Sequence, residues 1–162
     1  MTARLSWAVD ALDIVPTDHI LEIGCGSGTA VSLISSKLTT GKVVALDRSP
    51  KMIALAERRN HDAVTAGKAI FRTADFENAD FVGEQYDKIL AVNVNLFWVR
   101  HPTHEMALIE KLLKPEGFFF LCYEPPSGRA PALSEKLLTH LKPFTVDVTT
   151  KAPDLIGFKI SV

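Results

Sequence analysis

Short apolar runs alternate with amphipathic stretches along the chain, and the order of that alternation predicts its elements. Ile20, Leu21 and Ile23 read as a first buried strand, and residues 43–46, Ala69–Thr73, Tyr86–Val92 and 118–123 supply four more. Between them apolar residues return at helical spacing. Val31, Leu33, Ile34 and Leu38 predict a helix that stops at Gly41, and Met52, Ile53, Leu55 and Ala56 begin a second one that runs to about Gly67. Ser49 and Pro50 form the N-cap and first-turn pair of that second helix. Met106, Ile109, Leu112 and Leu113 predict a third, started by Pro102 and ended by Pro115, Glu116 and Gly117. Leu5, Ala8, Val9 and Leu12 predict an N-terminal helix over residues 3–15 that Pro16 terminates, and Leu133, Leu137, Leu138 and Leu141 mark a last helix. Phe144, Val146 and Val148, then Phe158, Ile160 and Val162, alternate with polar residues on either side of Pro153 and Asp154, so the chain closes on an antiparallel hairpin. Strands separated by helices imply an α/β sheet within one domain over residues 1–162.

The first strand runs into Gly24, Gly26 and Gly28, where every second position permits a tight turn and close approach of the backbone to a ligand. Asp47 closes the second strand, one strand–helix–strand unit later, at the interval where an acidic side chain meets ribose hydroxyls. The sign of the ligand follows from Glu22, two residues before the first glycine. A pyrophosphate-binding turn excludes a nearby anion, so this loop suits a cationic ligand. The dinucleotide fingerprint also fails by spacing, because its third glycine falls on Thr29.

Glu22, Gly24, Gly26 and Gly28, with Asp47, the Ala74–Asp75–Phe76 segment and the LLKPEG turn before the fifth strand, make the chain resemble the class I S-adenosylmethionine-dependent methyltransferases. The resemblance covers nearly the whole chain and implies a Rossmann-like three-layer sandwich. Its seven-stranded sheet is mostly parallel, with one reversed strand inserted beside the fifth as part of the C-terminal antiparallel hairpin. It implies S-adenosyl-L-methionine as cofactor. Glu22 would orient the methionine amino group, and Gly24, Cys25, Gly26 and Gly28 would supply close backbone. Asp47 would take the ribose hydroxyls, with Arg48 beside it, and Met52 would pack near the adenine. Asp75 and Phe76 would hold the adenine edge, although Asp75 also reads as a helix cap, and Asn93 would offer its carbonyl near the methionine moiety.

The acceptor side has no motif. Asn93, Val94, Asn95, Leu96, Phe97 and Trp98 leave a buried strand at the ligand-facing edge of the sheet, so Asn95, Phe97 and Trp98 are candidate substrate residues; core packing is the alternative for the two aromatics. The proline-stiffened loop that follows the fifth strand adds Glu124 and Arg129. Trp7 either lines a pocket mouth or packs on the surface. His101 and His104 are the available general bases, which an amine or thiolate acceptor does not need and a hydroxyl does. Their spacing alone does not make a metal site, because no third ligand stands adjacent, and no metal is expected.

Related small-molecule enzymes carry a longer N-terminal region or a late insertion over the acceptor, whereas the segment before the first strand and the later loops are short here. The acceptor site is therefore expected to be open, or completed by a homodimer or by a large acceptor. No Asn/Asp-Pro-Pro-Tyr signature follows the fourth strand. The leading expectation is methylation of a small-molecule acceptor; a non-catalytic S-adenosylmethionine-binding module working in a complex is the alternative, and a nicotinamide-dependent oxidoreductase is the third reading.

A net charge of −1 from 18 basic and 19 acidic residues gives no electrostatic footprint for nucleic acid or an anionic membrane. Cys25 and Cys122 sit in elements that need no bridge, which suits a reducing compartment. Asp10 and Asp13 interrupt the apolar stretch after Arg4, so no export signal is read, and the apolar runs are too short to span a bilayer. A soluble, cytoplasmic protein is the expectation.

Overall fold

The apolar runs become the strands β1 (His19–Ile23), β2 (Lys42–Asp47), β3 (Ala69–Thr73), β4 (Tyr86–Val92), β5 (Leu113–Tyr123), β6 (Thr145–Lys151) and β7 (Leu155–Ser161). They form one sheet of order β3-β2-β1-β4-β5-β7-β6 in the computed structural model, which describes residues 3–151 and 154–162. Neighbours pair in parallel from β3 through β5, and β7 runs antiparallel to both β5 and β6. Six helices cover the sheet among the described residues: α1 (Ala3–Ala11), α2 (Thr29–Lys37), α3 (Pro50–Arg59), α4 (His61–Thr65), α5 (Thr103–Leu112) and α6 (Ala130–His140). None of them is long and apolar enough to cross a membrane.

The period-two alternation of the strands produces two cores. Leu21, Ile23, Ile89, Phe119, Leu121 and Phe158 point to one face, where Met106 and Ile109 of α5 and Leu137 of α6 pack on them. Ile20, Val43, Ala45, Leu90, Phe118 and Phe120 point to the other, under Ala8 and Val9 of α1, Val31 and Ile34 of α2 and Ile53 of α3. This is the three-layer sandwich, with helices on both faces of a mainly parallel sheet.

Several boundaries differ from the sequence reading, each for a local reason. The first helix ends at Ala11 rather than Val15, because Asp13 takes the left-handed conformation (φ 47°) and the residue before Pro16 is barred from the helical region. The second predicted helix is two, broken at Asn60, whose buried side chain donates to the carbonyls of Gly28 and Ala56 at 3.0 and 2.9 Å. Pro115, Glu116 and Gly117 do not simply end a helix. Strand pairing already starts at Leu113, and these residues bulge out of the ladder, with Glu116 at φ 67°, before Phe118 resumes pairing with Lys88. Leu113 thus belongs to β5 and not to the preceding helix. The edge strand β6 is almost wholly exposed, with Val148 at 41%, so the alternation there marks pairing more than burial. Pro153, half of the predicted hairpin turn, lies outside the described residues. Trp7 packs on the sheet, edge-on to Phe120 with ring centroids 5.8 Å apart, and lines neither of the cavities below.

Candidate functional site

Strand order reverses at β1, whose chain successor β2 lies on one side while β4 lies on the other, and a crevice opens beyond the carboxyl ends of these strands. The turn after β1 carries Gly24, Gly26 and Gly28 at φ 72°, 53° and 80°. A Cβ at Gly24 would stand 2.8 Å from Val94 Cγ2 and one at Gly28 would stand 2.7 Å from Asn60 Nδ2, while the space beside Gly26 is open. The turn is thus packed at both ends and uncovered in the middle. Asp47, at the tip of β2, accepts from the Gly26 amide through Oδ2 and from the Ser49 amide through Oδ1, both at 2.9 Å. That pair of bonds ties the glycine turn to the start of α3, where Ser49 Oγ caps the helix by accepting from Met52 N at 3.3 Å.

Glu22 lies beneath this turn, 2% exposed, with Oε2 unpartnered. Burial, and then the Asp47 charge, push its carboxyl from the ordinary 4.5 up to about 8. A buried carboxyl oxygen without a donor is costly, and a ligand ammonium would satisfy it. Cys25 in the turn is buried, and desolvation and then the Glu22 and Asp47 charges push its thiol pKa up, so it is no thiolate nucleophile.

The cleft itself has a volume of about 510 Å³, and Gly24, Asp47, Arg48, Asp75, Phe76 and Asn93 of the predicted cofactor set line it. Glu22, Cys25, Gly26, Gly28 and Met52 are not part of that lining. Asp75 precedes a 3-10 turn, Phe76–Asn78, without capping it through its side chain, so its carboxylate stays open to the cleft. The cleft wall also includes Leu96, from the stretch read as the ligand-facing edge, and Val99 and Arg100, which the sequence reading missed. Arg100 bridges Glu77 at 2.8 Å and the fully buried Glu105 at 2.7 Å, which fixes the segment leading into α5 against the cleft.

Asn93 is the hinge of the site. It sits at φ 54°, its amide donates to Cys122 O at 2.8 Å, and its Oδ1 accepts from Glu124 N at 2.9 Å, so it clamps the ends of β4 and β5 together. Asn93 and Asn95 line the cleft and also line a second cavity, of about 640 Å³. Trp98, Tyr123, Glu124, Pro125, Pro126 and Arg129 contribute to the second cavity, with Leu133 and Lys136 from α6. Tyr123 hydroxyl donates to the Val94 carbonyl, and burial pushes its pKa up, so it is held neutral. Glu124 is paired with Arg4 at 2.6 Å.

Of the predicted substrate residues, Asn95, Trp98 and Glu124 meet at this cavity and Phe97 does not. Phe97 is fully buried against Phe119, ring centroids 5.1 Å apart, because the 3-10 turn Asn95–Phe97 rotates it into the core while Trp98 faces out. His101 and His104 line neither cavity. His101 bonds Thr103 Oγ1 at 3.0 Å and its ring packs 4.8 Å from that of His140, while His104 is exposed on α5. Tyr123, Leu133 and Lys136 escaped the sequence reading. A signal existed for Lys136, which stands two helical turns after Arg129 and so shares its side of α6.

Residues 20–117 match the family model described as a methyltransferase domain. Among curated relatives, the malonyl-[acyl-carrier protein] O-methyltransferase of Anoxybacillus flavithermus is 32% identical over 102 residues, which is 63% of this chain and 37% of that protein. The reducing polyketide synthase Preu2 of Preussia isomera is 33% identical over 116 residues, 70% of this chain and 5% of that one, so the chain spans well under half the length of either relative. Among solved structures, an S-adenosylmethionine-dependent methyltransferase from Aquifex aeolicus superposes with a TM-score of 0.79 at 14% identity, covering 96% of this chain and 88% of that one. Magnesium protoporphyrin IX methyltransferase from Synechocystis, solved with S-adenosylmethionine bound, gives 0.67 at 19% identity, covering 96% and 74%.

Proposed function

This chain belongs to the class I S-adenosylmethionine-dependent methyltransferases, with S-adenosylmethionine as cofactor, and from that premise we propose that it methylates a small-molecule acceptor seated in the 640 Å³ cavity. The observation that carries the reading is the shared wall: Asn93 and Asn95 border both the cofactor cleft and the second cavity, so the two spaces meet at one pair of amides.

Each cofactor-side residue has a role its surroundings suit. Glu22, with its orphaned oxygen, receives the ammonium, and the open backbone beside Gly26 admits the chain of the ligand. Asp47 still has lone pairs for a ribose diol after accepting its two amides, and Asp75 with Phe76 borders the adenine. When bound, S-adenosylmethionine supplies a methyl group already activated by its sulfonium, which an acceptor lone pair takes as the carbon–sulfur bond breaks. The protein's own contribution is then positioning and exclusion of water, which Trp98, Tyr123 and the two prolines provide around the acceptor. Asn93 and Asn95 are amides and move no proton, the Glu124 carboxylate in the lining is paired with Arg4, and neither predicted histidine reaches the cavity, so the arrangement favours an acceptor that is nucleophilic without a protein base, such as an amine, thiolate or carboxylate.

The second reading is a binding module without turnover, favoured by the absence of either predicted histidine base from both cavities. The two separate on one experiment: the protein is incubated with S-adenosylmethionine and pooled amines, thiols and carboxylic acids, and S-adenosylhomocysteine is followed by mass spectrometry. Acceptor-dependent formation above the acceptor-free rate is expected. Tight cofactor binding with no such formation for any pool favours the module.

A further inference from the structure

We propose that the acceptor is an anionic molecule with an apolar, planar body, held by Arg129 and Lys136; the proposal rests on the methyltransferase reading and names its substrate class. The walls of the second cavity are Trp98, Tyr123, Pro125, Pro126 and Leu133, surfaces on which a flat apolar body packs. Its charges are unequal. The carboxylate in the lining, Glu124, is already neutralised by Arg4 at 2.6 Å. Arg129 and Lys136 form no ion pair among the described residues.

Placement makes these two cations a pair and not two scattered surface charges. Arg129 stands at the N-cap of α6 and Lys136 seven positions on, so both project along the side of the helix that faces the cavity. Lys136 Nζ lies 5.4 Å from the Trp98 ring centroid, a cation–π contact that sets the ammonium beside the aromatic wall. An aromatic wall next to two unpaired cations fits a ligand whose flat part rests on Trp98 and whose carboxylate or phosphate reaches α6. A cationic acceptor would meet repulsion there, and a neutral one would leave both charges unanswered.

The test uses the full chain saturated with S-adenosylhomocysteine and two probes of equal shape, 1-naphthoate and 1-naphthamide, titrated calorimetrically. Naphthoate is expected to bind at least tenfold more tightly than naphthamide, with a preference that shrinks as salt rises. The double variant Arg129→Gln, Lys136→Gln is expected to bring naphthoate down to the amide's affinity while amide and S-adenosylhomocysteine affinities stay unchanged, which also shows that the variant is folded. Equal affinities in the parent protein, a preference that survives in the double variant, or no saturable naphthoate binding would each overturn the proposal. The methyltransferase reading fails separately. An acid preference with no methyl transfer leaves the anion-binding site of Arg129 and Lys136 standing and removes turnover, whereas turnover of neutral acceptors without an acid preference does the reverse.

Discussion

Glu22 is a carboxyl folded beneath the glycine turn with one oxygen unpartnered, and its chemistry makes the ligand-free protein sensitive to pH. Its pKa rises from 4.5 to about 8 on folding, first through burial and then through Asp47. Between those values the unfolded chain has released a proton that the folded protein keeps, so stability falls as pH rises, by up to about 1.4 kcal/mol per pH unit. Below the lower value both states hold the proton and this contribution is flat. Thermal unfolding of the ligand-free protein is therefore expected to shift to lower temperature from pH 5 to pH 8, and Glu22→Gln, which cannot ionise, should flatten that slope. Parallel slopes for the two proteins would mean that Glu22 is already ionised near neutrality. The position of Glu22 was legible in the sequence, because it lies in the first strand run and stands two residues before Gly24. Its burial was not, since the desolvation comes from elements that close over it only in the fold.

Element boundaries were legible where apolar periodicity and a breaker agree. Ala69–Thr73 and Tyr86–Val92 match the strands residue for residue, and Ser49 with Pro50 starts α3 as read. They failed where one polar side chain overrides the pattern. Asn60 splits the long helix, and Asp13 stops the first one early. The segment that follows α1 is held by Lys88, whose Nζ donates to Asp13 O at 2.7 Å and to Asp18 Oδ2 at 2.6 Å, while Asp18 also accepts the Val15 amide. Side-chain exposures of 13% for Lys88 and 6% for Asp18 make this a largely buried pair that joins the connection between α1 and β1 to β4. Removing one partner strands the other charge in a poor solvent, so Lys88→Ala is expected to lower the unfolding free energy by about 3 to 5 kcal/mol. Urea denaturation measures it, and a loss below about 1 kcal/mol would mean the pair is as solvated as an ordinary surface bridge.

The cleft exists only when distant parts of the chain are assembled: the turn after β1, the tip of β2, the segment after β3 and the end of β4 all border it. Six residues read from the sequence as the cofactor side, Gly24, Asp47, Arg48, Asp75, Phe76 and Asn93, reach the cleft because each lies at or just beyond the carboxyl end of a strand. The second cavity was half readable, because the stretch after β4 was marked by its aromatics, while Tyr123, Leu133 and Lys136 meet that stretch only once β5 pairs with β4 and α6 packs against β7. A ligand that needs the assembled cleft binds the native state alone and stabilises it by mass action, by about 2.7 kcal/mol at a hundredfold excess over its Kd. For a chain of this size that corresponds to a rise in Tm on the order of 5 to 10 °C. S-adenosylhomocysteine is expected to produce such a rise and NAD none. A dinucleotide would bring its pyrophosphate to a turn already held by the Asp47 carboxylate, and Thr29 stands where the dinucleotide fingerprint requires its third glycine. Stabilisation by NAD with indifference to S-adenosylhomocysteine would reverse the sign of the ligand inferred from Glu22, and with it the roles given to the glycine turn and to Asp47.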